Sequence, residues 1–123
     1  MAAKVILVVD DAHSIRQAAS QVLTAAGYGV ILAREGQEAL GKLDGTSVHM
    51  VITDIFMPVM DGFTLLRHLK DRPDTRYLPC IVMTSDNTDE IRAIARASGA
   101  KAWIAKPLDL ARLADTVGKL LPP

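Results

Sequence analysis

Two apolar runs in this chain end in acids. Asp10 and Asp11 come straight after Val5–Val9, and Asp54 comes after Val48–Ile52. Two further runs end in groups of other types. Thr84 closes Cys80–Met83, and Lys106 follows Ala102–Ala105. A carboxylate oxygen can act as a nucleophile or as a ligand for a hard cation, a hydroxyl can donate a hydrogen bond, and an ammonium can meet developing negative charge. Together these groups form a kit for phosphoryl transfer.

Each group also has a plainer reading. Asp10 and Asp11 could cap a helix, Asp54 and Thr84 could belong to turns, and Lys106 before a proline could be solvated surface. What favours chemistry is their common position at the ends of buried runs. In an open parallel sheet the ligand crevice lies outside the carboxyl ends of the strands, where the strand order reverses. Were the order 2-1-3-4-5, that reversal would fall between the first and third strands, and the three acids would converge. Two carboxylates ~5 Å apart in an effective dielectric of ~20 repel by roughly 3 kcal/mol, and three acids make three such pairs. The cluster must therefore take up a proton or recruit a cation. Oxygen-only ligands suit Mg²⁺ far better than zinc.

The elements that must position these groups are legible as alternation. Val5–Val9, Val48–Ile52 and Cys80–Met83 are nearly continuous in aliphatic residues, which suits strands covered on both faces. Val30–Ala33 and Ala102–Ala105 complete five candidate strands. Between them lie helical stripes: Ile15, Ala18, Ala19, Val22, Leu23 and Ala26, stopped by Gly27; Ala39, Leu40 and Leu43; and Phe63, Leu66 and Leu69, ended by Pro73. A fourth stripe, Ile91, Ile94, Ala95 and Ser98, is opened by Asn87 with Glu90 three residues on and closed by Gly99. The fifth runs Leu110, Leu113, Ala114, Val117, Leu120 and Leu121, with Asp109 as its N-cap and Pro122 as its stop. Five strand–helix alternations predict a single-domain α/β fold with a doubly wound parallel sheet in a three-layer sandwich.

Composition narrows the class. The 123 residues favour one domain. Half are apolar, 23% are charged, and Lys plus Arg balance Asp plus Glu at 14 each. A net charge of zero excludes a nucleic-acid binder that works by bulk charge. Cys80 is the single cysteine, so no intrachain disulfide or zinc spacing is available, and it reads as a buried, inert strand residue. The start reaches two acids too soon for a signal peptide, and no apolar run approaches ~20 residues, so a soluble cytoplasmic protein without membrane insertion is expected. His13, His49 and His68 lack ligand spacing. Met57, Met60 and Met83 read as gap-fillers.

Asp10-Asp11, Asp54-Ile-Phe-Met-Pro-Val-Met-Asp-Gly62, Thr84-Ser85 and Lys106-Pro107 resemble, in order and spacing, the defining motifs of the response-regulator receiver domain. The likeness spans the chain and implies one receiver domain over 1–123 with no output domain. It also implies the CheY-like, flavodoxin-type strand order 2-1-3-4-5. By this resemblance Asp54 is the phosphoacceptor, taking a phosphoryl group from a sensor histidine kinase. Mg²⁺ would be held by Asp11, Asp54 and the backbone carbonyl of Phe56, with Asp10 reaching it through water. Lys106 would pair with the phosphoryl oxygens, Thr84 would hydrogen-bond one of them, and the Lys106–Pro107 peptide would be cis.

Trp103 stands where receivers carry a switching aromatic, so Thr84 and Trp103 form the expected switch pair; a core or surface aromatic is the plainer reading. Phosphorylation would then alter the face from about Thr88 to Leu121, where a downstream protein docks. The run from Ala97 to Asp109 is similar to that of single-domain chemotaxis regulators, which implies a flagellar switch component as target. A role in a phosphorelay or in kinase feedback is the alternative. Phe56, two residues past the phosphoacceptor, replaces the polar side chain of many relatives. It is expected to shield the acyl phosphate and change its decay, with or without a phosphatase. Asp86, two residues past Thr84, is a second candidate tuning position or simply a surface acid.

Such a protein is not an enzyme in the ordinary sense, although it catalyses its own phosphorylation and dephosphorylation. An Mg²⁺-dependent phosphatase with an aspartyl-phosphate intermediate is the competing class. Haloacid-dehalogenase-like enzymes place an acid–base Asp where Phe56 stands, which counts against it. A binding module that keeps the fold without phosphorylation is the third possibility, and the intact Asp11, Asp54, Thr84 and Lys106 set counts against that.

Overall fold

The aliphatic runs become five parallel strands, and the stripes between them become five helices. The computed structural model describes residues 3–86 and 88–123. In chain order the elements are β1 (Val5–Val9), α1 (His13–Ala25), β2 (Gly29–Ala33), α2 (Gly36–Leu43), β3 (Met50–Asp54), α3 (Gly62–Asp71), β4 (Cys80–Thr84), α4 (Asp89–Ala97), β5 (Ala102–Ala105) and α5 (Leu110–Leu120). The sheet order is β2-β1-β3-β4-β5, as the resemblance to receiver domains implies.

Strand side chains alternate between the two faces of the sheet, and this alternation divides the core in two. Leu7, Val9, Val51 and Val82 pack with Ala39, Leu43, Leu65, Leu66, Leu69 and Ala95 of α2, α3 and α4. Ile6, Val8, Ile52, Ile81, Met83 and Ile104 pack with Ala19, Leu23, Leu113 and Val117 of α1 and α5. Covering the sheet on both sides is what allows β3 and β4 to be buried along their whole length. The edge strand β2 is only half-buried until Ala33.

The expected boundaries need correction in several places. β3 begins at Met50, not Val48, and runs on through Thr53 and Asp54, because the backbone ladder to β4 continues there: Thr53 pairs with Val82 and Asp54 with Met83. Val48 lies before the strand and packs against the core from the loop. β4 likewise takes in Thr84, paired with Ala105. β2 starts one residue early, at Gly29, paired with Val5.

On α3, Leu65 is buried although the stripe omitted it, whereas Phe63 is only partly buried. On α4, Ile94 is 40% exposed, so the expected stripe is narrower than drawn. Leu110 and Leu120 are similarly exposed at the two ends of α5.

Helix ends follow their capping chemistry. Asp61 accepts from the Thr64 amide and Asp109 from the Arg112 amide, satisfying donors that the helix leaves orphaned. The expected cap Asn87 lies outside the described residues; the cap of α4 is Thr88, whose hydroxyl accepts from the Ile91 amide. Gly27 and Gly99 follow the ends of α1 and α4 with φ of 101° and 95°, as their C-terminal roles require.

Candidate functional site

Register brings the acids together. Val9 of β1 pairs with Thr53 of β3, so the next residues along, Asp10 and Asp54, emerge side by side at the carboxyl edge of the sheet. The chain leaves β1 for β2 on one side and reaches β3 on the other, so this edge is the switch-point crevice. Ligand oxygens of Asp10, Asp11 and Asp54 lie within 4.8 Å of one another. Asp10 is fully buried, Asp54 nearly so, and Asp11 is exposed.

Lys106 enters the same crevice from β5, and its peptide bond to Pro107 is cis. Its ammonium donates to Asp10 Oδ2 at 2.7 Å and to Asp54 Oδ2 at 3.0 Å. The other oxygens of these two acids accept backbone amides: Asp10 Oδ1 from Ala12, and Asp54 Oδ1 from Ile55. Neither Asp10 nor Asp11 is the N-cap of α1. That position belongs to Ala12, which makes no side-chain capping bond. The capping alternative for this pair is therefore set aside.

Burial pushes the Asp54 carboxyl above the ordinary carboxylate range, and the neighbouring Asp10 charge adds to this. The hydrogen bond and charge of Lys106 oppose the rise without cancelling it. Burial disfavours the charged form of Lys106, but its two acid partners outweigh that and hold its pKa above the usual lysine value.

Three carboxylates against one ammonium leave a deficit of two positive charges. A small divalent ion with oxygen ligands fits both that charge and that donor set. The exposed side of Asp11 leaves room for the water ligands that Mg²⁺ retains.

Thr84 is fully buried at the end of β4, where its hydroxyl oxygen accepts from the Asp86 amide at 3.1 Å. The Asp86 carboxylate is itself engaged in the loop, accepting from the Thr88 amide. Phe56 is 55% exposed just past Asp54. Trp103 of β5 is partly buried against the α2–α4 side of the core, with its indole N–H buried and lacking a hydrogen-bond partner among the described residues. Cys80 is buried and its thiol is pushed up to about 12 by that burial, as an inert residue should be. The three histidines are not brought together; His49 Nδ1 accepts from the Val5 amide.

Two further contributors are Arg16, which no sequence pattern marked, and Gly62, which stood in the Asp54–Gly62 motif without an assigned role. Arg16 of α1 donates to the Asp10 carbonyl at 2.6 Å, bracing the turn that carries the acid pair. Gly62 starts α3 directly against β3, and a Cβ built on it would fall 2.1 Å from the Asp54 carbonyl oxygen. The Asp-Gly pair at 61–62 was the available clue: one residue caps the helix, and the next must have no side chain.

Two buried acids, an exposed third and a lysine thus gather at the switch point of a doubly wound sheet, the arrangement of a receiver fold. Residues 6–118 match the family model described as the response regulator receiver domain, and the chain belongs to that family. It is 38% identical over 104 residues to the response regulator PleD of Caulobacter vibrioides, a match covering 85% of this chain but 23% of PleD. The chain thus spans less than a quarter of that relative's length. Among solved structures, the chemotaxis protein CheY4 of Vibrio cholerae is similar at 34% identity and TM-score 0.92, covering 98% of this chain and all of the other. The CheX-CheY-BeF3-Mg complex of Borrelia burgdorferi is similar at 28% identity and TM-score 0.89, covering 98% of this chain and 90% of that one. Among the described residues no helix is long and apolar enough to cross a membrane.

Proposed function

We propose that this chain is a two-component switch in which Asp54 accepts a phosphoryl group from a phosphohistidine of a sensor kinase. One observation carries the reading: a single lysine ammonium bridges Asp10 and Asp54, and Asp11 lies within ligand distance of both. One Asp54 oxygen forms the new bond to phosphorus as the bond to the histidine nitrogen breaks, and the imidazole leaves with the electron pair. Lys106 favours the ionised form of Asp54, opposing part of the effect of burial, and stands ready to follow the negative charge onto the phosphoryl oxygens. Thr84, one step beyond the Asp54–Met83 pair, supplies a hydroxyl for one of those oxygens. Asp10, Asp11, Asp54 and the Phe56 backbone carbonyl would hold Mg²⁺. When bound, the ion neutralises phosphoryl charge and favours an in-line approach.

The switch reading couples Thr84 to Trp103 across the β4–β5 ladder, where the neighbouring pair Val82–Trp103 lies two steps back from Thr84–Ala105. The indole N–H without a partner disfavours the inward ring by about 1–3 kcal/mol, a penalty relieved when the ring swings out. Converting a mostly inactive population to a mostly active one needs ~3–5 kcal/mol. A phosphoryl group with charged partners can supply that. The changed face is 88–121, and similarity to CheY4 supports chemotaxis as the setting.

Incubation with acetyl phosphate or beryllofluoride and Mg²⁺ tests the reading, followed by Trp103 emission and by mass spectrometry of the label. The response should vanish in Asp54→Ala. Label on another residue, or steady multi-turnover release of phosphate from unrelated esters, would overturn it in favour of an enzyme. Profiling phosphotransfer from purified kinases separates chemotaxis from phosphorelay roles.

A further inference from the structure

The acid crevice lies at the carboxyl edge of the sheet. At the opposite edge, where β4 begins at Cys80, a second pocket of about 250 Å³ opens between α3, the loop that enters β4 and the turn that leaves α4. Four strand steps separate Cys80 from Thr84, roughly 13 Å at ~3.3 Å per residue. The pocket and the acid cluster have no residue in common.

Its floor is apolar: Leu69 and Cys80 are buried and Leu78 is half-buried. Burial keeps the Cys80 thiol protonated, so it adds no negative charge. The Thr75 hydroxyl is spent, donating to the Leu69 carbonyl at 2.7 Å, which fixes that wall. Tyr77 stands at the rim and is 88% exposed. A ring left in water at the mouth of an apolar pocket offers a face for a second ring to cover.

Charge at this pocket is one-sided. Lys70, Arg76 and Lys101 line it, and no acid does. Arg72, which lies between the first two in the chain, has Asp44 and Asp74 as partners. Among the described residues Lys70, Arg76 and Lys101 make no ion pair. Lys70 crosses from α3 to the end of α4, its Nζ 2.5 Å from where a Gly99 Cβ would stand, in space that the missing side chain leaves open. Cations gathered without counter-charges raise the local potential, which an anionic occupant lowers.

We propose that this pocket is a binding site for a small aromatic acid, its ring against Leu69, Leu78 and Tyr77 and its carboxylate or phosphate among Lys70, Arg76 and Lys101. The size favours a free small molecule over a peptide. An apolar cavity of about 150 Å³ takes up one benzene ring, so 250 Å³ admits a ring with its acid group and little chain beyond it.

The test titrates the full chain, without Mg²⁺, with benzoate and phenyl phosphate, beside benzyl alcohol and benzylamine, and follows backbone amide shifts by NMR. Both acids should move the amides of Arg76, Tyr77 and Gly99 and leave those of Asp11 and Asp54 in place. Each acid should bind at least about fivefold more tightly than the alcohol, and the amine more weakly still. Arg76→Glu should cost benzoate about fivefold or more and spare the alcohol, whereas Tyr77→Ser should weaken both alike. Arg112→Glu on α5 is the control and should leave benzoate affinity unchanged. All three residues are exposed, acetyl phosphate should still label Asp54 in each variant, and circular dichroism checks the fold.

Equal affinity for acid and alcohol would overturn the proposal, as would undiminished benzoate binding by Arg76→Glu. A loss in Arg112→Glu as large as that in Arg76→Glu would put the acid on another face and sink it too. Displacement of benzoate by a glutamate-rich peptide at equal concentration would give the pocket to a protein partner instead.

Discussion

Gly62→Ala asks whether the acid crevice depends on backbone contact that no polar group reveals. The added Cβ would meet the Asp54 carbonyl oxygen at 2.1 Å and the Ile55 Cα at 3.0 Å. Ordinary contact begins at 3.4 Å, so about 1.3 Å of separation must be found. Both neighbours are backbone, and neither end of the contact is free to slide. The Gly62 amide donates to the Ile55 carbonyl at 2.8 Å, and Asp61 holds the first turn of α3 through the Thr64 amide at 2.7 Å.

Overpacking of this kind costs about 1–3 kcal/mol, and rigid backbone on both sides puts the expectation at the upper end. In thermal unfolding that corresponds to a fall of roughly 10 °C. Displacing the Asp54 carbonyl also displaces its carboxylate from Lys106 and Asp10, so Mg²⁺ binding followed by Trp103 emission should weaken in parallel. Gly118→Ala is the internal control. This α5 glycine has nothing within 4 Å of a built Cβ, and its replacement should stabilise by about 0.5–1 kcal/mol. Urea unfolding of the two variants gives the comparison. If Gly62→Ala stays within ~0.5 kcal/mol of the parent at unchanged slope, the close approach of α3 to β3 is not a constraint and the reasoning fails.

Three other outcomes follow from single residues. The Asp54 pKa is raised in the folded state, so the native protein binds the extra proton first; stability should rise as pH falls toward the carboxylate range, and Asp54→Asn should flatten that slope in urea titrations without added Mg²⁺. Val59 is 86% exposed with φ of 66°, a conformation that costs a β-branched residue about 1–2 kcal/mol, so Val59→Asn should raise the urea midpoint without changing the slope. Phe56→Asn should change the decay rate of the acyl phosphate, read by loss of label over time; unchanged spontaneous and phosphatase-assisted decay would end the shielding idea.

Much of the architecture was readable because burial on both faces leaves a compositional trace. Val5–Val9 and Cys80–Met83 are apolar at every position because helices cover both sides of those strands. β3 was displaced by two residues because its last members, Thr53 and Asp54, are polar for the sake of the site. Val48 is apolar only to fill the core from a loop. Ile94 misled for a related reason: α4 buries a narrow stripe, with Ala95 its single fully buried member. The acids, Thr84 and Lys106 were legible from their places at strand ends. Arg16 and the steric role of Gly62 were not, because each acts through contact with main chain, and such contacts leave no periodic pattern.

Lys106 has a mechanical consequence as well as a chemical one. β5 is the outermost strand on its side, laddered to β4 alone, yet the ammonium that follows it is moored to Asp10 beside β1, across two intervening strands. The mooring is ionic, so charge deposited in the crevice sets how firmly that flank of the molecule is held. Amide exchange along Ala102–Ala105 is thus a gauge of the tension in that tether.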